Sequence, residues 1–183
     1  EVIKLNANYG PVYRELAETY YFWSTSDTSK RAEYIKKALE YYEKYMSLTD
    51  YSLDSRMRHA DFLILAKDYE ALQKEAQAMQ QLDKVNPRIY RYLGYAAYEN
   101  KNYDESIKAL NDFLAKVDPK RISARDYLFL AKAKLGKAIS AEGAITDKAQ
   151  FDSAMADLTK ATDIDPAIGS EFSDLGVSLY KQK

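Results

Sequence analysis

The 183-residue sequence contains no cysteine and only one histidine, His59. Without cysteine the chain can form no disulfide, no thiolate metal site and no cysteine nucleophile. A single imidazole also argues against a histidine metal site or a catalytic acid–base pair. We therefore expect no metal or other cofactor, and we predict that the protein is not an enzyme. His59 is expected to be a packed or hydrogen-bonded structural residue.

Glycine and proline are also scarce, with 6 and 4 residues. So few turn-forming residues favour long helices joined by short turns. No stretch approaches the roughly 18 uncharged apolar residues that a membrane span needs. The charges nearly cancel, with 27 Lys and Arg against 28 Asp and Glu, so no global field attracts nucleic acid or an anionic membrane. We expect neither as a partner.

A short pattern recurs along the chain, in which an aromatic residue is followed, after two others, by leucine and a small residue. Its copies are Tyr13-x-x-Leu16-Ala17, Tyr90-x-x-Leu93-Gly94, Tyr127-x-x-Leu130-Ala131, Phe172-x-x-Leu175-Gly176 and the degenerate Arg56-x-x-His59-Ala60. Each copy continues into a second apolar segment, and three of these segments end at Pro87, Pro119 or Pro166. Proline ends a helix because it lacks the backbone donor and clashes with the preceding turn.

These residues resemble the tetratricopeptide repeat (TPR), a unit of about 34 residues with an A helix and a B helix. The resemblance implies an all-α fold, a right-handed α-solenoid of antiparallel helix pairs. In physical terms, the small residue lets helix A approach helix B closely, and stacking of the units buries apolar faces that no unit buries alone.

We predict one TPR array over residues 1–183. Residues 1–9 are expected to be the tail of a preceding helix in a longer protein. The predicted units are repeats at about 10–50, 51–86, 87–119 and 120–166 and a final lone helix at 169–182. The first and fourth repeats are over-long between their helices, at Phe22–Ser29 and at Gly136–Gln150. In the segment Gly136–Gln150, the pattern Asp147-x-x-Gln150 predicts a capping residue at the start of the next helix.

Arginine is concentrated on the predicted A helices, which carry six of the eight arginines, whereas lysine lies mainly on B helices and turns. In the third repeat Arg88, Arg91, Tyr95 and Tyr98 are spaced three and four residues apart, on one helix face. Arginine and tyrosine are typical of protein-binding hot spots. We therefore predict that these four residues are accessible and bind a partner.

The resemblance implies that one face of each A helix lines a concave groove. On that face we predict four further partner-binding residues, which are Arg14, Tyr21, Arg58 and Arg125. The alternative is that the arginines form ion pairs within the array, with Glu18, Asp61, Glu99 or Asp126.

The predicted function is a non-enzymatic scaffold that binds a protein or peptide segment, with acidic or aromatic residues, in the concave groove. The alternative is a structural spacer or self-assembly module of a larger bacterial envelope protein. Sequences of this kind are frequent in such proteins, which favours a periplasmic setting over the cytoplasm; the lack of cysteine is compatible with both. End-to-end self-association is also expected, through apolar residues on several sides of the last helix: Phe172, Leu175, Val177, Leu179 and Tyr180.

Overall fold

The structure is a computed structural model that describes residues 2–49, 51–171 and 173. Ten of the fourteen residues of the predicted final helix at 169–182 lie outside these residues, and so do all five apolar side chains expected to drive end-to-end association. The chain divides into two compact units, residues 1–84 (unit 1) and 85–183 (unit 2). None of the helices that the structure describes is long and apolar enough to cross a membrane.

Unit 1 consists of a short helix followed by two helix pairs. The helices are α1 (Val2–Leu5), α2 (Gly10–Ser26), α3 (Arg31–Leu48), α4 (Leu53–Ala66) and α5 (Tyr69–Leu82). Helix α2 packs against α3, α4 packs against α5, and α3 also packs against α4. The A helices of this unit are therefore α2 and α4, and the B helices are α3 and α5.

Unit 2 contains two further helix pairs. Its helices are α6 (Pro87–Glu99), α7 (Tyr103–Lys116), α8 (Ala124–Ala138) and α9 (Lys148–Ile164). Here α6 and α8 are the A helices, and they contact each other as well as their own B helices. Among the described residues the only β-type pairing is a single bridge between Ile139 and Ile145. The predicted all-α class is confirmed.

In the four copies of the pattern that the structure describes in full, the small residue is buried between helices. Ala17, Ala60 and Ala131 are completely buried, and Gly94 is buried as well. At Gly94 an added Cβ would lie 2.5 Å from Cγ of Leu110 on α7. A larger side chain at these buried positions would push neighbouring helices apart, which explains why the pattern keeps them small.

Short polar side chains begin most of these helices. The side chains of Ser52, Asp68, Asn86 and Asp147 accept hydrogen bonds from backbone N–H groups in the first turns of α4, α5, α6 and α9. At α9 the donor to Asp147 is the N–H of Gln150, at 2.9 Å, so the predicted cap is confirmed. Each such bond satisfies a donor that the helix itself leaves without a partner.

The turns after α4 and α6 both place a lysine in the left-handed region, Lys67 at φ 57° and Lys101 at φ 61°. After α6, Lys101 donates its N–H to the carbonyl of Tyr98 and Asn102 donates to that of Ala97, both at 2.8 Å. This pair of bonds is a Schellman motif, in which glycine usually occupies the left-handed position.

We therefore expect Lys101→Gly to stabilise the protein by about 0.5–1 kcal/mol, because glycine adopts this φ without the steric cost that lysine bears. Lys108→Gly, in the exposed middle of α7, is the matched control and should destabilise by about 1 kcal/mol. Urea unfolding of both variants measures the difference. A loss of stability in Lys101→Gly would contradict the left-handed conformation.

Candidate protein-binding surface

The predicted binding residues are divided between the two units. Arg14, Tyr21 and Arg58 lie in unit 1, on α2 and α4, and the other five lie in unit 2, on α6 and α8. In both units an arginine of one A helix forms a bidentate ion pair with an acid of the neighbouring A helix. The two pairs differ in burial and in the number of bonds that the acid accepts.

In unit 1, Arg58 of α4 is held by Glu18 of α2. Its Nε donates to Oε1 at 2.7 Å and its Nη2 donates to Oε2. The guanidinium also lies over two aromatic rings, 4.7 Å from the centroid of Tyr21 and 4.8 Å from that of Phe62. Hydrogen bonding to Glu18 raises the pKa of Arg58. Because both partners remain about one-third exposed, this pair is fixed but still reachable from solvent.

An open pocket of about 450 Å³ surrounds this pair. We call it the A-helix pocket, and the residues used below are Arg14, Glu18, Tyr42, Tyr45, Asp54 and Arg58. Its wall is formed by α2, the end of α3 and the start of α4. Tyr42 is buried beneath it, and burial raises the pKa of its hydroxyl to about 12. The pocket brings Arg14 and Arg58 together, as the helix-face argument predicts, but it also contains acids.

Arg14 is the most accessible arginine of the A-helix pocket. Its side chain is 53% exposed, with Nη2 at 3.1 Å from Oε1 of its sequence neighbour Glu15, and it also interacts with the hydroxyl of Tyr45. Exposed ion pairs of this kind contribute little stability, because water solvates both groups well. Arg14 can therefore exchange Glu15 for another acid at small cost.

In unit 2, Asp126 of α8 accepts hydrogen bonds from two residues of the predicted stripe, Arg91 and Tyr95. Arg91 donates to it from Nε at 2.7 Å and from Nη2 at 2.8 Å. Tyr95 donates its hydroxyl to Oδ1 at 2.7 Å, and Ser123 donates both its N–H and its hydroxyl to Oδ2. Asp126 is completely buried, so five hydrogen bonds replace the water that a carboxylate would otherwise keep.

The expectation that the stripe is accessible is wrong for Tyr95 and for most of Arg91. Tyr95 is 2% exposed, and its ring stacks on Phe129 with centroids 4.1 Å apart. The Arg91 side chain is 21% exposed, and its guanidinium lies 4.4 Å above the Phe113 ring. Burial lowers the pKa of Arg91, but the hydrogen bond and the charge attraction to Asp126, together with the nearby tyrosines, outweigh burial and raise the pKa overall. The residues do share one helix face, but that face packs against α8.

The other predicted residues of unit 2 have different surroundings. Arg88 is half-buried and donates from Nη2 to the hydroxyl of Tyr92 at 2.8 Å. Tyr98 is also half-buried, with its ring 5.4 Å from that of Phe129. Arg125 is exposed and lines a shallow depression of about 400 Å³. Whether these residues bind a partner stays a prediction.

The single histidine packs inside unit 1. His59 is 8% exposed, and its ring lies parallel to that of Tyr42 with centroids 6.3 Å apart. Its Nδ1 lies 3.5 Å from a carboxylate oxygen of Glu75, and Glu75 also binds Arg56 at 2.8 Å. Over the described part of the chain, His, Asp and Glu form no group of three that could hold a metal ion.

Sequence reasoning did not assign Asp126 a central position, although it named this residue among the alternative ion-pair partners. The available signal was Ser123-x-x-Asp126 before an apolar segment, which is a capping box in which serine and an acid bond each other's backbone N–H. The structure contains this box at the start of α8. A cap alone does not show that the same carboxylate also binds two side chains of a neighbouring helix.

No protein-family model matches the chain, and no curated protein matches it. Two solved structures of MamA are each 18% identical to this chain, and each match covers 92% of it. The matches cover 80% and 85% of the two MamA chains, and the TM-scores are 0.60 and 0.61. A third, MamA from Desulfovibrio magneticus RS-1 starting at residue 41, is 19% identical and covers 82% of this chain and 76% of its own, with a TM-score of 0.54. MamA has a TPR-like helical repeat fold, and this chain has the same fold.

Proposed function

We propose that this protein is a non-enzymatic scaffold that binds a segment of a partner protein on its A helices. Helical-repeat proteins use such extended surfaces for binding, and the TPR-like fold supports a function of this general kind. The A-helix pocket is the specific feature that supports it, because it is the place where two of the predicted arginines lie together and remain accessible.

The pocket has the character of a protein-binding hot spot. Arg58 lies on two aromatic rings and is held by Glu18, so its guanidinium is already ordered before a partner arrives. Arg14 lies beside it, paired with the exposed Glu15 and in contact with Tyr45, and Tyr45 also supplies an apolar ring with a hydroxyl. Ordered arginine and tyrosine side chains in a concave surface are typical of residues that dominate binding energy.

The charges of the pocket favour a particular partner chemistry. Arg14 is available to a carboxylate of the partner, whereas Arg58 is already neutralised by Glu18. Tyr45 can pack against an aromatic or aliphatic side chain. We therefore propose a partner segment with an acidic residue opposite Arg14 and an aromatic residue one or two turns away. A strongly acidic segment is disfavoured, because Glu18 and Asp54 line the same pocket.

A displayed peptide library tests the proposal. Peptides that bind the Arg14→Glu variant are removed first, and those that bind the wild-type protein are then selected. We expect enrichment of peptides with acidic and aromatic residues, and about 30-fold weaker binding of these peptides to Arg14→Glu, as for loss of a hot-spot residue. Arg121→Glu is the matched control, because it reverses an exposed arginine outside the pocket. It should bind the peptides as the wild type does.

Failure to enrich any peptide that distinguishes wild type from Arg14→Glu would contradict the proposal. Concentration-dependent association in sedimentation, in the absence of peptide binding, would instead support the spacer or self-assembly alternative. Circular dichroism of each variant confirms that the substitutions leave the helices intact.

A further inference from the structure

Unit 1 has a second concave surface beside its first B helix, α3, and this surface is separate from the A-helix pocket. It lies between α3 and the end of α4 and has a volume of about 840 Å³. We call it the outer groove. Its floor consists of Ala32, Ile35 and Leu39 of α3 with Leu65 of α4, and its rim carries Arg31, Lys36 and Lys67.

The outer groove exists because the two helix pairs of unit 1 differ in length. Helices α2 and α3 have 17 and 18 residues, whereas α4 and α5 have 14 each. Helix α4 ends at Ala66, and residues 65–67 lie beside the first half of α3. The segment predicted as an over-long connection instead lengthens α2 as far as Ser26, and the link to α3 has only four residues. The longer α3 therefore extends past the second pair and leaves part of its apolar face uncovered.

The floor has the spacing and length of a helix-binding groove. Ala32, Ile35 and Leu39 are three and four residues apart, which places them in one row along α3. The lining part of α3 runs from Arg31 to Glu43, a length of about 18 Å at 1.5 Å per residue. This matches about three turns of a second helix. Its aliphatic floor offers no aromatic ring on which a nucleobase could stack.

The rim has a small excess of positive charge, with three cations against Glu40 and Glu43. Arg31, Lys36 and Lys67 form no ion pair with any residue that the structure describes. The acids of the rim do have basic neighbours: Glu40 binds Lys37 at 3.0 Å, and Glu43 lies 3.9 Å from Nε2 of His59. An occupant with carboxylates would complement this rim, and one with further cations would be repelled.

We propose that the outer groove binds an amphipathic helix of a partner protein that has an aliphatic stripe and an acidic flank. The stripe packs on Ile35 and Leu39 in the manner of other helix-in-groove complexes, with anchors three and four residues apart. The acidic flank pairs with Lys36 and its neighbours. A compact small molecule fits less well, because the polar groups of the groove are on long rim side chains and do not converge on one point.

Two synthetic peptides test this inference directly. Both have about 14 residues, with leucines three and four residues apart, and they differ only in carrying glutamate or lysine on the flanks. Fluorescence anisotropy with the full chain should show saturable binding of the glutamate peptide and at least tenfold weaker binding of the lysine peptide. Equal binding of the two, or no binding of the glutamate peptide, would overturn the proposal.

Matched variants locate the binding site. Lys36→Glu should weaken binding of the glutamate peptide about tenfold, since it replaces an attraction by a repulsion. Lys44→Glu makes the same charge change on α3 outside the groove and should bind as the wild type does. Ala32→Arg adds positive charge but fills one end of the floor, so weaker binding here would show that the apolar contact matters and not charge alone.

The variant Arg14→Glu separates this inference from the proposed function. It should leave binding of the glutamate peptide unchanged, because Arg14 lies in the A-helix pocket and not in the outer groove. If Arg14→Glu abolishes binding and Lys36→Glu does not, the peptide occupies the A-helix pocket and the outer groove is not its site.

Discussion

Replacing Gly94 by leucine should destabilise unit 2 by about 3 kcal/mol or more, at the upper end of the usual cost of overpacking. An added Cβ at this position lies 2.5 Å from Cγ and 2.8 Å from Cδ2 of Leu110, and 3.4 Å from its backbone nitrogen. Leu110 is completely buried and cannot turn away. Ser106 also donates its hydroxyl to the Gly94 carbonyl at 2.8 Å, so separating α6 from α7 breaks this bond as well.

Urea unfolding followed by circular dichroism measures this effect, with Gly94→Ala expected to lie between Gly94→Leu and the wild type. Gly169→Ala is the control, because a Cβ there meets no atom within 4 Å and its φ of −58° suits any residue. A change below about 0.5 kcal/mol in Gly94→Leu, the range of ordinary surface substitutions, would mean that α6 and α7 do not touch at this residue.

Asp126→Ala should cost about 3–5 kcal/mol, because it leaves the half-buried Arg91 and the buried Tyr95 hydroxyl without their acceptor. The triple variant Arg91→Met/Tyr95→Phe/Asp126→Leu should recover most of this loss, since apolar residues of similar volume often replace a buried polar network without a large penalty. The shift in the urea concentration at the unfolding midpoint measures the difference in stability, provided that the dependence of the unfolding free energy on urea concentration is the same in all variants.

Glu18→Ala provides the comparison within the same chain. It breaks the Arg58 pair, whose partners are 32% and 36% exposed, so the expected loss is about 1 kcal/mol or less. If Asp126→Ala and Glu18→Ala cost the same, burial does not set the energy of these pairs, and the assignment of Asp126 as the main polar contact between α6 and α8 is wrong.

The helix pairs follow from local features of the sequence. Apolar periodicity, small residues such as Gly94 and a capping side chain such as Asp147 each act within a few residues, so a single sequence is enough to recognise them. The side chains of α6 could likewise be assigned to one face from their spacing. Spacing does not show which element covers that face, and this is why Tyr95 was expected in solvent and lies against Phe129 instead.

The outer groove could not be predicted for a related reason. Its floor residues Ile35 and Leu39 have the spacing of an ordinary core stripe, and the sequence gives no sign that α4 stops beside them. The groove depends on the difference in length between two neighbouring helix pairs. Such a difference becomes visible only when the end of α4 at Ala66 is placed against α3.

In the two bidentate pairs the acid and the arginine occur in opposite order along the chain, so each pair depends on which repeats are neighbours. In unit 1 the first A helix supplies the acid, Glu18, and the second supplies the arginine. In unit 2 the first A helix supplies the arginine and the second supplies the acid, Asp126. In the repeated pattern, Arg58 lies two residues before its small residue, and the fourth repeat has Phe129 at that site. The site of Arg91, three residues before the small residue, is Arg14 in the first repeat. A recombinant chain that joined the first repeat directly to the fourth would therefore place Glu18 opposite Phe129 without an arginine, whereas Asp126 would meet Arg14. The loss of the Glu18 pair acts against this junction, so these repeats are not fully interchangeable modules.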